Sequence, residues 1–345
     1  MRKVLTLVLI TMLTIALVGC SSSAPTPSST GSDSGDAKTY NFTILTGSQG
    51  GGYMAAGAMF VDEWEKNVKG FKGSTVMGGS FTNVVKLEQS EDEMIMGLAF
   101  NTVLYDGTKH QGDFATQTKG PIENVRAMVR LNRQSLFLAP VLKDKVPEGV
   151  TTLGQYLETK PKLRLFTKDR GTGGEIATRK MLEAYGLTYE TIESWGGKVT
   201  YSSTSDGVAA VVNGHADAVW QTYVPHAADL QELESARDIV YLQIDDEIVS
   251  KLVDNYGFME FQAPADWFSL NQSVNTFMED TIVFTHKDAP EEVIYETTKI
   301  ILENKEKWFN GQKAFESFEP ENAWKGTIVP LHPGAERAYK ELGFI

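Results

Sequence analysis

The sequence predicts an α/β fold built from two similar regions, each with a mixed, mostly parallel sheet flanked by helices. From Asn41 onward, short apolar runs of strand length alternate with amphipathic stretches of helix length. This order is typical of parallel sheets with right-handed crossovers. Each region has a glycine-rich turn before a predicted helix, GSQGGG at 47–52 and KDRGTGGE at 168–175. Ligands of open α/β sheets sit at the carboxyl ends of the strands, where such turns lie.

The first region opens with a strand, a glycine turn and a helix. Phe42 and Ile44 recur with the period of a strand in residues 41–46. The helix that starts near Tyr53 places apolar side chains, Phe60 and Trp64 among them, on one stripe. The same patterns then predict a strand at 74–77, a helix at 81–90 capped by Ser80, a strand at 94–99, a helix from 101, a loop at 109–124, and strands at 125–131 and 136–142.

The second region repeats this architecture. Its elements are a helix at 151–159, a strand at 163–166, the second glycine turn, a helix at 176–185, a strand at 199–201, a helix at 203–213, a strand at 216–221, a helix at 225–233 and a strand at 239–242. The last hundred residues add a strand at 281–285 and helices at 290–304 and 333–342. We therefore expect a first lobe of residues 38–135 plus 245–345 and a second lobe of residues 136–244.

The N-terminus has the pattern of an export signal. Three residues with two basic side chains precede residues 4–18, which are apolar except for three threonines. Such a stretch is too short to span a membrane. Residues 17–20, LVGC, resemble the lipobox of bacterial lipoproteins. That resemblance implies a signal peptide at 1–19, lipidation of Cys20, and an extracytoplasmic protein anchored to the bacterial cell membrane; an ordinary cleaved signal is the alternative.

Composition narrows the function classes. Residues 20–37 are rich in Ser, Gly, Pro and Asp, which predicts a flexible tether. Cys20 is the only cysteine, so the folded part has no disulfide and no thiol nucleophile. The 32 basic and 45 acidic residues give a net charge of −13, which argues against nucleic acid as a partner.

Nucleotide, catalytic and metal motifs do not fit. Gly47 and Gly52 have phosphate-loop spacing, but Tyr53 stands where that loop needs lysine. The dinucleotide fingerprint fails at Gln49. The sequence contains no GxSxG, HExxH or SxxK. The acidic cluster at 245–247 lacks the alternating spacing of a calcium loop. We therefore predict no catalytic residue, no metal and no cofactor.

Four stretches together resemble the TAXI-type solute receptors of tripartite ATP-independent periplasmic (TRAP) transporters. They are TGSQGGGY at 46–53, TVMGGSFTNVVKL at 75–87, RGTGGEIATRKMLEAYGL at 170–187 and LHPGAERAYKELG at 331–343. The resemblance implies a two-lobed fold of the type II periplasmic-binding-protein kind, with a ligand cleft between the lobes. It also implies delivery of a small organic acid or amino acid to the membrane subunits of a TRAP permease.

The family motifs carry over position by position. The residues expected to bind ligand are Gly50, Gly51, Gly52 and Tyr53 in the first turn, Gly79, Ser80 and Asn83 in the GGSxxN motif, Asn101, then Arg170, Gly171, Thr172, Gly173 and Gly174 in the second turn, and Trp220, Gln221 and Tyr223. Gly174 replaces a usual threonine, and Arg170 could supply the missing donor as a bidentate clamp on a carboxylate. A surface arginine or an interlobe salt bridge is the alternative for Arg170, and simple packing is the alternative for Trp220.

We therefore expect a monomeric, lipid-anchored receptor that binds a small carboxylate-bearing solute without chemistry. Acidic amino acids, dicarboxylates and oxo acids all remain open as ligands. The rival hypotheses are the binding component of an ATP-driven importer, a partner that reports ligand to a membrane sensor kinase, and an exported hydrolase.

Overall fold

The computed structural model describes residues 38–48, 51–131, 134–225, 227–267 and 273–345. The predicted signal peptide and tether, with Cys20, lie outside the described residues, and so does Gly50. Among the residues described, no helix is both long enough and apolar enough to cross a membrane.

The first lobe is built on one five-stranded sheet with the order β2-β1-β3-β14-β4. β1 pairs in parallel with β2 and β3, whereas β14 runs antiparallel to β3 and β4. Its N-terminal elements are β1 (Tyr40–Leu45), α1 (Gly52–Asn67), β2 (Phe71–Val76), α2 (Ser80–Glu88), β3 (Ile95–Phe100), α3 (Asn101–Lys109), α4 (Phe114–Gln117) and β4 (Val125–Arg130).

The second lobe contains two further sheets, with the orders β11-β6-β9-β7-β8 and β10-β5-β13-β12. β7 pairs in parallel with β8 and β9, and the β10-β5-β13-β12 sheet is antiparallel throughout. The elements are β5 (Ser135–Leu138), β6 (Pro140–Leu142), α5 (Leu153–Glu158), β7 (Arg164–Thr167), α6 (Gly173–Ala184), α7 (Tyr189–Ser194), β8 (Lys198–Tyr201), α8 (Thr204–Val212), β9 (Ala218–Val219), β10 (Gln221–Tyr223), α9 (Ala228–Ala236), β11 (Ile239–Tyr241), α10 (Asp246–Tyr256), β12 (Met259–Ala263) and β13 (Val274–Glu279).

The chain then returns to the first lobe. β14 (Thr281–His286) completes the first sheet, and α11 (Glu291–Glu303), α12 (Lys305–Gly311) and α13 (Pro333–Glu341) cover it. The predicted α/β class with helix-flanked mixed sheets is therefore confirmed.

Each lobe has its own apolar interior. In the first lobe, Phe42, Phe60 and Trp64 pack in a cluster that reaches α11 and α13, and a second cluster gathers around Ala99 and Phe284 on the other face of the sheet. The second lobe is centred on clusters that surround β7 and the β5–β13 pair. Burial of these side chains, at about 25 cal/mol per Å² of apolar area, is the main stabilising contribution.

The predicted boundary at Asp245 does not divide these interiors. Leu252 of α10, Phe258 and Phe277 of β13 are buried in the same cluster as Leu165 of β7. The strands at 259–263 and 274–279 were not predicted, because polar residues such as Asn275 and Thr276 interrupt the apolar run although both are buried. We propose that the second lobe extends to Glu279 and that the chain returns at Asp280.

Two chain crossings, β4 to β5 and β13 to β14, connect the lobes. At the second crossing the Asp280 N–H donates to Asn101 Oδ1 at 2.8 Å, and the Asn101 N–H donates to the Asp280 carbonyl at 2.9 Å. Neighbouring Glu279 is fully buried and its Oε2 accepts from the Thr102 hydroxyl at 2.6 Å. Burial raises the pKa of Glu279 to about 8.

The LHPGAER stretch shapes the packing of α13. His332 Nδ1 accepts from the Gly334 N–H at 3.1 Å and so caps the helix. A Cβ at Gly334 would lie 2.3 Å from the Glu291 carbonyl oxygen, so glycine permits the close approach of α13 to α11. The motif therefore stabilises the first lobe, away from the cleft.

Candidate functional site

A cavity of about 270 Å³ lies between the lobes. It is lined by the turns that follow β1 and β2 in the first lobe, and β7, β8 and β10 in the second. Ten of the predicted ligand-binding residues line it: Gly51, Gly52, Tyr53, Gly79, Ser80, Thr172, Gly173, Gly174, Gln221 and Tyr223.

The first glycine turn brings the start of α1 to this cavity. Gly51 is the N-cap residue and has an extended backbone. The Tyr53 ring packs 5.3 Å from the ring of Phe100, and its hydroxyl accepts from the Thr281 hydroxyl at 3.3 Å. Tyr53 therefore forms a fixed wall of the cavity near the crossing of β13 into β14.

The GGSxxN motif divides into lining and supporting residues. Gly79 and Ser80 line the cavity at the start of α2. Asn83 does not: it is buried, and its Nδ2 donates at 2.8 Å to both the Thr46 and Leu98 carbonyls. A Cβ at Gly78 would lie 2.1 Å from Asn83 Oδ1, so the first glycine of the motif makes room for this amide. Asn83 fixes the ends of β1 and β3 rather than facing a ligand.

The second glycine turn is held from inside its own lobe. Gly171 has a φ of +78°, which favours glycine, and its N–H donates to Glu175 Oε2 at 3.1 Å. The Thr172 hydroxyl donates to the Asp169 carbonyl at 2.7 Å and does not cap α6. The Thr172 side chain therefore offers no acceptor to the backbone N–H groups in the first turn of α6.

This turn also touches the opposite lobe. A Cβ at Gly79 would lie 3.1 Å from the Gly171 carbonyl oxygen, and a Cβ at Gly173 would lie 1.9 Å from Cδ2 of Phe100. Glycine allows the two lobes to meet backbone to backbone at Gly79 and backbone to side chain at Gly173. The structure thus shows the lobes in a closed arrangement.

Lys168 is the residue that the sequence analysis missed. It follows β7 directly, lines the cavity, and is the only Lys or Arg among the described lining residues. Its stem packs against Gly174, where a Cβ would lie 3.1 Å from Lys168 Cδ. Burial lowers the pKa of Lys168, while Asp169 and Asp229 oppose that shift. Its position at the carboxyl end of a parallel strand is the pattern that could have identified it.

Asn83 and Gly171 do not line the cavity, and three further predicted residues lie elsewhere. Arg170 is exposed; its guanidinium stacks 4.1 Å from the Tyr201 ring centre and donates to the Tyr201 hydroxyl of the same lobe at 2.8 Å. Asn101 belongs to the interlobe crossing described above. Trp220 is fully buried in the second lobe's interior. Position next to a glycine turn or at a strand end was not enough to predict where these side chains point.

Hydroxyl and amide groups complete the lining. Ser203, Thr204 and Ser205 line the cavity, and Ser203 also caps α8 by accepting from the Asp206 N–H at 3.2 Å. The Thr204 hydroxyl donates to Gln221 Oε1 at 3.2 Å. The Ser205 hydroxyl donates to Asp229 Oδ1 at 3.0 Å, so the one acidic lining residue is already hydrogen-bonded.

The electrostatics of the described lining favour an anion. The first turns of α2 and α6 point into the cavity from opposite lobes, and helix N-termini carry about half a positive charge. Lys168 adds a full charge beside the start of α6. In the part of the chain that the structure describes, no group of three or more His, Cys, Asp or Glu side chains could hold a metal ion.

Residues 44–343 match the NMT1-like family. The chain belongs to this family. The matched segment runs from β1 to the end of α13 and so includes every turn that lines the cavity. In a member of the NMT1-like family, both glycine turns are thus part of the shared domain rather than of an added segment.

Solved structures show the same fold as this NMT1-like chain. MatC from Rhodopseudomonas palustris, described with bound malate, matches with a TM-score of 0.50 at 11% identity over 88% of this chain and 96% of its own. The periplasmic binding protein BugD matches with a TM-score of 0.50 at 10% identity over 88% of this chain and 94% of its own. The expected two-lobed fold of the periplasmic-binding-protein kind is confirmed.

Proposed function

We propose that this protein is an extracytoplasmic receptor that binds a small carboxylate-bearing solute between its lobes and passes it to a membrane permease. The observation that carries the proposal is the cavity itself. Lys168 and the first turns of two helices from opposite lobes converge on one cavity of about 270 Å³. A carboxylate bound there would contact both lobes at once.

The charge balance supports an anion rather than a cation. Lys168 has no hydrogen-bonded or ion-paired partner among the described residues, whereas Asp229 accepts from Ser205. An anionic oxygen beside Lys168 would restore the interaction that burial removes from the ammonium group. A hydrogen bond to a charged group contributes about 1.5–3 kcal/mol.

The size of the cavity restricts the solute. Ligand pockets commonly hold about 300–1,000 Å³, and this cavity, at about 270 Å³, lies just below that range. A compact acid fits it: an acidic amino acid, a dicarboxylate or an oxo acid. The malate bound to MatC is a dicarboxylate of this size class, which supports the proposal by analogy of fold.

The types of residue that line the cavity fit a protein that binds its solute without reacting with it. The described lining contains no histidine and no cysteine, and several of its hydroxyl groups hydrogen-bond to amide, carboxylate or backbone groups, as Thr204 does to Gln221. A nucleophile needs a neighbouring base within hydrogen-bond reach. We therefore propose a receptor and not an enzyme.

The cellular setting rests on the sequence. We propose that the receptor is of the TAXI type, that a TRAP permease is its membrane partner, and that Cys20 is lipidated. The lipobox-like residues 17–20 and the four family-like stretches support this. The binding component of an ATP-driven importer remains the alternative, and reconstitution with each class of permease would separate the two.

The test is a thermal-shift screen of Lys38–Ile345 against amino acids, dicarboxylates, oxo acids and sugars at about 1 mM. A solute at about 100 times its dissociation constant stabilises the folded state by about 2.7 kcal/mol. We expect a shift with one carboxylate class, no shift with sugars, and no turnover of the solute by mass spectrometry. A shift with sugars alone would overturn the proposal.

A further inference from the structure

One face of α6 lies against the first lobe along much of its length. Gly173 meets Phe100, and Ile176 is buried in the apolar cluster of Val103 and Phe114. Arg179 and Lys180 follow one turn later. The spacing of these positions, three or four residues, is that of a single helix face.

Two ion pairs join this face to the opposite lobe. Lys180 Nζ lies 2.5 Å from Asp106 Oδ2 of α3, and the two side chains are 4% and 9% exposed. Arg179 Nη2 lies 2.8 Å from Asp113 Oδ2, with 26% and 47% exposed. Lys180 also lies 4.7 Å from the ring centre of Tyr256, within its own lobe.

The pairs border a second interlobe cavity of about 260 Å³. Its lining shares no described residue with the solute cavity. Arg179 is held in place by Glu175 at 3.3 Å and Glu183 at 3.9 Å, both on α6 itself. The arginine is therefore positioned before it meets Asp113, and less side-chain entropy is lost when the lobes come together.

We propose that the Lys180–Asp106 and Arg179–Asp113 pairs form a latch that favours the closed arrangement of the lobes even without solute. Separation of the lobes would pull Asp106 and Asp113 away from α6 and return all four charges to water. Closing the lobes removes these charges from water, and the cost of that desolvation largely offsets the attraction within a buried pair. The latch thus biases closure without making it irreversible, and it depends on the two-lobed fold rather than on the identity of the solute.

The test measures the distance between the lobes in the full chain without solute. Nitroxide labels are placed at Lys86→Cys and Glu158→Cys, two exposed helical positions, one in each lobe, in a chain that carries Cys20→Ser. Double electron–electron resonance then gives the ratio of closed to open distances. Asp113→Asn should lower this ratio about two- to fivefold, as expected for a partly exposed pair. Asp106→Asn should lower it about tenfold or more, because the buried Lys180 then loses its ion-pair partner.

Glu336→Gln is the matched control, since it removes the same charge from the Glu336–Lys340 pair within α13. We expect its distance ratio to equal that of the unsubstituted chain. If Asp106→Asn fails to fold, as judged by its thermal unfolding, Asp113→Asn decides alone because its side chain is half-exposed. Distance ratios of the aspartate variants that match the control would overturn the latch.

Discussion

Gly173→Ala should weaken solute binding while it leaves the protein folded. A Cβ at this position would lie 1.9 and 2.0 Å from Cδ2 and Cε2 of Phe100, whereas non-bonded carbon atoms sit about 3.5–4.0 Å apart. The Phe100 ring is held by the Tyr53 ring at 5.3 Å. The closed arrangement must therefore open or repack by roughly 1.5 Å.

The magnitude follows from the cost of overpacking. Forcing an extra carbon into a packed contact costs about 1–3 kcal/mol, which lowers affinity about 5- to 150-fold. Gly173 has no positive φ, and alanine favours a helix over glycine by about 1 kcal/mol. The second lobe should therefore keep or gain stability, and the loss should fall on closure alone.

Isothermal titration with the carboxylate selected by the thermal-shift screen measures the loss. Gly174→Ala should lose less, because its Cβ would meet the flexible stem of Lys168 at 3.1 Å. Gly120→Ala, whose Cβ would meet no atom within 4 Å, is the neutral control. The effects of Gly173→Ala and Phe100→Ala should be strongly non-additive, because the added Cβ at Gly173 clashes with the Phe100 ring and Phe100→Ala removes that ring. Affinity of Gly173→Ala within about twofold of the unsubstituted protein would refute the reasoning.

Three further predictions concern single charges. Lys168→Met should lower carboxylate affinity about 10- to 150-fold, whereas Arg170→Ala should change it little; equal losses in titration calorimetry would contradict this assignment. The folded-state pKa of Glu279, about 8, exceeds its ordinary value, so its contribution to stability is full below that ordinary value and is lost as pH rises through 8. Between the ordinary pKa and pH 8, the free energy of unfolding falls by up to about 1.4 kcal/mol per pH unit. Glu279→Gln should flatten this decline when urea unfolding is measured at several pH values. Parallel curves for the two proteins would exclude this role of Glu279. Burial lowers the pKa of His332 from 6.5 to about 4, so stability is lost as pH falls through this range; His332→Asn should lessen that loss in acid denaturation, and an unchanged acid transition would count against it.

The general architecture was predictable because its determinants are local. Strand, turn and helix alternate with clear periods, and glycine turns mark where helices begin at a sheet edge. The helix after the second glycine turn nevertheless begins at Gly173, three residues before the predicted start at Ile176. Glycine disfavours helix interiors, but at the first helical positions it permits the contact with Phe100, which is a feature of the opposite lobe.

Which basic side chain faces the solute cavity was not predictable from the motif. Lys168 and Arg170 lie two residues apart at the start of the same turn, and either type of side chain can bind a carboxylate. The structure separates them because Tyr201, on the neighbouring strand β8, offers Arg170 a ring face and a hydroxyl. That partner comes from a parallel strand pairing about thirty residues away, which no local pattern specifies.

The proposed shift of the lobe boundary from Asp245 to Asp280 has the same physical reason. An amphipathic helix such as α10 carries an apolar face but no indication of which interior it will cover. Leu252 and Phe277 join the second lobe because β13 pairs with β5, and strand order is a long-range property.

Solute contact and lobe closure depend on the same helix. The first turn of α6 faces the solute cavity, and Arg179 and Lys180, six to seven residues later, lie about 9–10 Å along its axis at 1.5 Å per residue. The apparent affinity of a site that exists only in the closed form equals its intrinsic affinity reduced by the closed fraction. Lys168 sets the first quantity and the pairs with Asp106 and Asp113 set the second. A change far from the solute can therefore alter its affinity without altering a single contact to it.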